Sequence, residues 1–543
     1  MKAAELFVQA LENEGVEYIF GIPGEENLDV MDALLDSRIR FITTRHEQGA
    51  AFMADVYGRL TGRAGVCMAT LGPGATNLIT GVADANMDHA PLVAIAGQAS
   101  TQRLHKESHQ VLDLEAMFLP ITKYSVRIVS PQVIPEIIRK AFKVAQTEKT
   151  GACFIEFPEN IAEMSVEDSP LSVKNTTAPE PAREHIERAA ELISNAKNPI
   201  ILAGNGVVRS AAAETLAAFA ENLNIPVANT FMAKGVIPFR HPMALGSVGL
   251  QSNDYVNTGF ANADVIICVG YDMVEYHPYL WHPSRDRKLI HIDTTHAEVD
   301  AYYSVLVAVV GNINHSLNRI AALASPHQGR ALRTLRNSLI EDMNQHKEDL
   351  EFPVKPQKLI WDLRTTMDLE DIVICDVGAH KMWMSRMFRC EYPNTCIISN
   401  GFASMGIAVP GAIAAKLAHP QRKVVAVTGD AGFLMNSQEI ETAIRLKLAI
   451  VILIWNDASY GLIGWKQQNQ FGRKSHVDFS NPDFVQYAKS FGAQGVRIEH
   501  TEQLMPALKA AFDCNTVTVI DCPVDYRENL KLTAKLGQLT NPD

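Results

Sequence analysis

Two carboxylates carry the most specific chemistry in this chain. Asp430 ends the strand-like run "KVVAVTGD" and Asp457 ends "AIVILIWND", with one crossover between them. In parallel sheets, ligands collect at the carboxyl ends of the strands. If these two strands are neighbours, both carboxylates reach one point. Hard oxygen donors suit Mg2+ or Ca2+, and Mg2+ keeps positions open for phosphate oxygens. The small residues of "GDAG" let backbone N–H groups approach an anion near a helix start. A lone Asp430 would read as the N-cap of an amphipathic helix, "AGFLMNSQEIETAIRLK". The second carboxylate at this spacing favours one shared metal ion that holds a diphosphate.

The elements that must position these residues are short apolar runs alternating with helical segments. They include "RAGVCMATLGPG", "PLVAIAGQ", "ACFIEFPE", "PIILAGNG", "DVIICVG", "KLIHID", "DIVICDVG" and "TVTVIDCP". The runs are continuous rather than alternating, which predicts strands buried on both faces. That pattern belongs to an α/β fold of doubly wound parallel sheets. Two stretches break the rhythm: "VEDSPLSVKNTTAPEPAREH" at 166–185, and a polar segment with a helical centre at 325–357. Read as connections, they divide the chain into domains at 1–165, 186–325 and 356–530. The tail "KLTAKLGQLTNPD" reads as loosely held.

The chain has 543 residues, of which 47% are hydrophobic and 20% charged, with a formal net charge of -12. An acidic chain without basic blocks is a poor partner for nucleic acid or an anionic membrane. Its eight cysteines form no CxxC pair and several sit in apolar runs, as reduced buried thiols do. No apolar run has membrane-spanning length, and acidic residues interrupt the N-terminal helix too early for a secretory signal. A cytoplasmic, soluble protein is expected.

Other candidates have ordinary structural explanations when taken singly. Glu47 is an acid in a first helical turn. "GPGATN" at 72–77 is a turn that opens a helix, and "GIPGEEN" at 21–27 is a similar turn. Met405 in "NGFASMGIAVPGA" would pass for a core methionine.

Taken together, these motifs resemble the thiamine-diphosphate enzymes, and within them the acetolactate synthases, over nearly the whole chain. "GDA…WND" is similar to that family's signature, although Ala431 stands where glycine is commoner. The resemblance implies Asp430 and Asp457 as Mg2+ ligands, with the Ser459 backbone carbonyl as the third. Asn456 is implied to be structural or close to the cofactor. The stretch 43–85 resembles the pyrimidine-binding domain, which places Glu47 at N1′ of the aminopyrimidine. There it favours the tautomer whose N4′ removes the C2 proton, a role that needs a water-poor setting. Gln110 in "ESHQVLD" matches an active-site glutamine and is implied to be catalytic, while His109 matches only part of the family. Met405 matches the residue that props the cofactor in its bent form. The other implied cofactor contacts are Pro23, Gly24, Gly72, Gly378, His380, Gly429, Ala431, Gly432, Tyr460, Gly461 and Leu462. The family's architecture implies pyrimidine-binding, central and diphosphate-binding domains in that order.

"GYDMVEYHPYLW" at 270–281 and "CPVDYRENL" are similar to the catabolic, flavin-independent acetolactate synthases. The biosynthetic form has a "GARFDDR"-like segment that helps to hold FAD. Tyr271 and Asp272 replace its Ala-Arg, so FAD is not expected. Counting ten residues from Asn456 gives Lys466, where the biosynthetic form has a tryptophan that selects 2-ketobutyrate. Pyruvate is therefore expected as both donor and acceptor, giving 2-acetolactate and CO2. A decarboxylase releasing an aldehyde is the alternative, but it needs acids over C2, for which the chain offers His105, His109 and His380. A flavin-dependent pyruvate oxidase is opposed by the missing flavin segment. A non-catalytic relative is opposed by the intact Glu47, Asp430 and Asp457. Because the family shares its sites between subunits, a homodimer or homotetramer is implied.

Overall fold

The computed structural model describes residues 1–174, 177–249, 255–327 and 331–529. Among these residues the strands form three six-stranded sheets. The first contains β1 (Tyr18–Gly21), β2 (Arg40–Thr43), β3 (Gly65–Ala69), β4 (Leu92–Gln98), β5 (Tyr124–Arg127) and β6 (Ala152–Pro158). The second contains β7 (Pro199–Ala203), β8 (Val227–Asn229), β9 (Ala244–Ser247), β10 (Val265–Val269), β11 (Lys288–Asp293) and β12 (Val305–Val310). The third contains β13 (Ile372–Cys375), β14 (Cys396–Ile398), β15 (Val424–Gly429), β16 (Val451–Asn456), β17 (Gln494–Arg497) and β18 (Thr518–Pro523). Strand neighbours are parallel in all three sheets.

The continuous apolar runs account for this arrangement. Every residue of β3, β4, β6, β7, β10 and β13 is buried, as helices on both sheet faces require. Burying each large apolar side chain contributes roughly 1.5–3 kcal/mol. Trp455 and Phe388 serve this role under the third sheet, and Phe7 and Phe142 under the first.

The order of the first sheet is β2-β1-β3-β4-β6-β5 and that of the third is β14-β13-β15-β16-β18-β17. Numbered within each sheet, the two topologies are the same. The second, β12-β11-β10-β7-β8-β9, follows the doubly wound order of dinucleotide-binding folds. The winding reverses between β1 and β3, between β7 and β10, and between β13 and β15. Crevices open at such reversals, beyond the carboxyl ends of the strands.

The described residues form two compact units. One combines the first sheet with Gly401–Gln421 and Phe433–Ile450, and the other contains the second and third sheets. The helix expected between Asp430 and Asp457 is not continuous. It runs Asp430–Asn436, breaks into a 3-10 turn at Ser437–Glu439, and resumes at Ile440–Arg445. The break falls where Asn436 and Glu439 turn their side chains onto other elements. The expected connection at 325–357 holds the helix Ala331–Asn344, and the tail 531–543 lies outside the described residues. Among the described residues, no helix is long and apolar enough to cross a membrane. The eight cysteines are unpaired, and all but Cys514 are buried.

Candidate active site

In the third sheet β15 and β16 are neighbours, with Gly429 opposite Trp455. Asp430 and Asp457 therefore leave the sheet side by side. Asp430 Oδ1 accepts from the Ala431 N–H at 2.9 Å. Its Oδ2 accepts from the Ala458 N–H and from Asn481 Nδ2, both at 2.7 Å. Asn481 also reaches Asn456 Oδ1 at 3.2 Å, and Asn456 donates to Asp521 at 2.8 Å, tying β16 to β18. Ala458 sits at φ 52, a left-handed conformation that a non-glycine residue holds only against strain. That kink sets Asp457 and Ser459 on either side of one bend. At Gly461, which opens the helix Gly461–Phe471, a Cβ would stand 2.6 Å from Asp457 Oδ2. Only glycine lets the carboxylate lie against that helix start.

Burial, and then the charge of Asp430, push the Asp457 carboxyl up to about 7. Burial raises Asp430 as well, against the hydrogen bonds that favour its charge. Two desolvated carboxylates side by side are matched chemically to a hard divalent cation. Nearby, Ser459 Oγ and Asn481 Oδ1 are buried without hydrogen-bond partners among the described residues.

The reversal between β13 and β15 holds Gly378, His380, Gly429 and Gly432. A Cβ on Gly378 would come within 2.7 Å of the His380 ring, and one on Gly429 within 3.4 Å. The ring is buried, and its Nε2 has no hydrogen-bond partner among the described residues. Burial pulls its pKa down to about 3, so it remains a neutral imidazole. Glycine-lined backbone and an orphaned ring nitrogen fit an anionic, hydrogen-bonding group such as a diphosphate. Tyr460 is exposed, and Leu462, the second residue of that helix, is half-buried.

The other unit carries Pro23, Gly24, Glu47, Gly72, Gln110 and Met405. Pro23 and Gly24 follow β1, and Gly72 follows β3, at the reversal of the first sheet. Gln110 is exposed, at φ 59, and lies beside Gly72, where a Cβ would come within 2.9 Å of its own Cβ. Glu47 is buried at the first turn of the helix Glu47–Thr61 and accepts from Asn77 Nδ2 at 3.0 Å. Met405 is half-buried, in a turn whose backbone is held from the helix Pro73–Met87 and its C-cap. There Asp88 accepts from the Gly401 N–H at 2.5 Å and Asp84 from the Ser404 N–H at 3.3 Å. His105 and His109 are exposed.

The second sheet's reversal is closed by the chain itself. Gly204 N–H donates to Val269 O at 2.9 Å and Gly206 N–H to Gly270 O at 2.8 Å. Glu275 fills the remaining space. Its carboxylate accepts from the Asn205 N–H at 2.9 and 3.1 Å, from the Asp272 N–H at 3.2 Å, and from the Thr230 hydroxyl. Asp272 pairs with Arg209 at 3.0 Å. Glu275 already takes the Asn205 and Asp272 N–H groups that would otherwise meet a dinucleotide's phosphates at this crevice.

Sequence reasoning missed Asn77, Asn481, Glu275 and Glu439. Asn77 lies inside the quoted turn "GPGATN" and could have been singled out as a polar residue one turn into a helix. Asn481, in the loop "FSNPDF", carries no periodic signal.

Known proteins match the chain along its length. The model described as the thiamine pyrophosphate enzyme N-terminal TPP binding domain matches residues 1–117, the central domain 186–320, and the C-terminal TPP binding domain 376–522. An acetolactate synthase of Bacillus subtilis is 38% identical, covering 98% of this chain and 95% of the relative. A probable acetolactate synthase large subunit of Methanocaldococcus jannaschii is 36% identical, covering 100% and 95%. A catabolic acetolactate synthase of Raoultella terrigena is 36% identical, covering 99% and 97%.

Proposed function

The chain belongs to the acetolactate synthase family of thiamine pyrophosphate enzymes, and from that premise we propose that it condenses two pyruvates into 2-acetolactate with loss of CO2. The observation that carries this reading is the side-by-side exit of Asp430 and Asp457 from β15 and β16, in a chain matched from end to end by acetolactate synthases. Thiamine diphosphate, when bound, supplies a carbon nucleophile and an electron sink for decarboxylation. Asp430, Asp457 and the Ser459 carbonyl would hold Mg2+, leaving positions for phosphate oxygens. His380 Nε2, with the backbone of Gly378 and Gly429, would orient those oxygens. Glu47 would hold a proton on its carboxyl at the pyrimidine N1′, with Asn77 fixing the direction of the carboxylate. Gln110, beside Gly72, would face the reacting carbons, and Met405 would support the cofactor's bend. The occupied crevice of the second sheet supports a flavin-independent enzyme.

The domains of this reading are 1–165, 186–325 and 356–530, in a cytoplasmic homodimer or homotetramer whose subunits share sites. Light scattering of the purified protein tests the assembly. The reaction is tested by the stoichiometry of pyruvate consumed to CO2 released. Condensation consumes two pyruvates per CO2, and simple decarboxylation consumes one. A dominant mixed product from pyruvate and 2-ketobutyrate would overturn the assignment of pyruvate as acceptor.

A further inference from the structure

We propose that Glu439 is a positioning residue for Glu47, fixing the turn from which that side chain projects. The inference rests on the thiamine-dependent reading given above. β2 ends at Thr43 and the helix carrying Glu47 begins four residues later. In the intervening turn, the Arg45 and His46 N–H groups both donate to Glu439 Oε1 at 3.0 Å. The other oxygen, Oε2, accepts from the Thr442 hydroxyl at 2.7 Å. Bonds to an ionised acceptor are the stronger kind, and two on one oxygen define the direction of the backbone.

Neighbouring contacts reinforce this clamp. Asn436 Nδ2 donates to Gln48 Oε1 at 3.1 Å, and the Arg445 guanidinium donates to Thr43 O. Two residues beyond His46, the Gln48 N–H is taken by His46 Nδ1 at 3.1 Å. Gly49 faces the same carboxylate, and a Cβ there would lie 2.8 Å from Glu439 Oε1. Glu439 is fully buried, and burial raises its affinity for a proton despite the three hydrogen bonds it accepts from the turn and Thr442. Chain folding alone does not need a desolvated carboxylate at this point, since the orphan N–H groups of a helix start are ordinarily met by a short capping side chain or water. The turn it holds delivers Glu47 to Asn77.

The test compares wild-type protein with E439D, E439Q and G49A. Aspartate is one methylene too short to reach both N–H groups. Glutamine can still accept both on its amide oxygen and donate to Thr442. An alanine at position 49 pushes the carboxylate away. Three readouts separate positioning from mere folding: Tm, thiamine diphosphate affinity by tryptophan fluorescence, and the NMR-detected exchange of the bound cofactor's C2 hydrogen for deuterium. A fourth is amide hydrogen exchange of residues 44–50 in cofactor-free protein.

E439D and G49A are expected to slow C2 exchange and kcat on the order of 10²-fold, with KM and cofactor affinity held. They are also expected to open residues 44–50 to amide exchange. E439Q should restore both readouts most of the way. Wild-type C2 exchange in E439D and G49A would overturn the proposal. So would a loss in E439Q equal to that in E439D, or losses that simply follow a falling Tm and weakened cofactor binding. Wild-type protein that neither consumes pyruvate nor accelerates C2 exchange would overturn the underlying reading, and this inference with it.

Discussion

Asn77 Nδ2 lies 3.0 Å from Glu47 Oε2, joining the first turns of two helices that start after different strands of the first sheet. The contact fixes where the buried carboxyl points. In Glu47→Gln the shape and the amide contact survive, but the ionisable oxygen is lost. Its kcat is expected to fall by about 10²–10⁴-fold, the usual contribution of a positioned acid or base. Cofactor affinity should be nearly unchanged. Steady-state kinetics with a fluorescence titration of thiamine diphosphate checks both.

Removal of the divalent ion should abolish turnover, and Mg2+ should restore it. Asn481 touches Asp430 from outside the proposed Mg2+ ligand set. Asn481→Ala should therefore raise the Mg2+ concentration for half-activation by roughly 10–100-fold. Activity titrated with Mg2+ after chelation measures this.

Gly461→Ala places a methyl 2.6 Å from Asp457 Oδ2. The carboxylate or the helix must move, at a cost of about 1–3 kcal/mol. The variant should melt lower and require more Mg2+, and calorimetry paired with the same titration detects both effects.

Glu275 offers a prediction about pH. Burial, followed by the charge of Asp272, pushes its carboxyl up to about 8 in the folded chain, against about 4.3 when unfolded. The folded state holds this proton more tightly. The group's contribution to stability is therefore full below about pH 4.3 and is lost as pH rises through about 8. Glu275→Gln removes the titration while keeping the hydrogen-bond geometry. The Tm advantage of the variant should widen between about pH 5 and about pH 9. A difference that stays constant across that range contradicts the assignment.

The fold was legible because its central strands are continuous apolar runs, as in "VIICV" and "VILIWN". Edge strands were less visible: β5 and β17 contain no fully buried residue, and their sequences carry no such run. Asp430 and Asp457 were legible because strand direction and crossover length determine where a strand-end residue emerges. Glu439 was not, because in "NSQEIETA" it has the spacing of a residue on a solvated helix. Its burial depends on a helix break created by distant contacts with Arg45, His46 and Gln48. Glu275 was hidden for a similar reason. The segment "GYDMVEYHPYLW" marked a departure from the flavin-binding pattern, but only the folded second sheet places its glutamate in the crevice.

The most direct test is NMR analysis of the products formed when the purified protein meets pyruvate, Mg2+ and thiamine diphosphate without FAD. Accumulating 2-acetolactate is the predicted result. Acetaldehyde as the main product, or no turnover, would contradict the account.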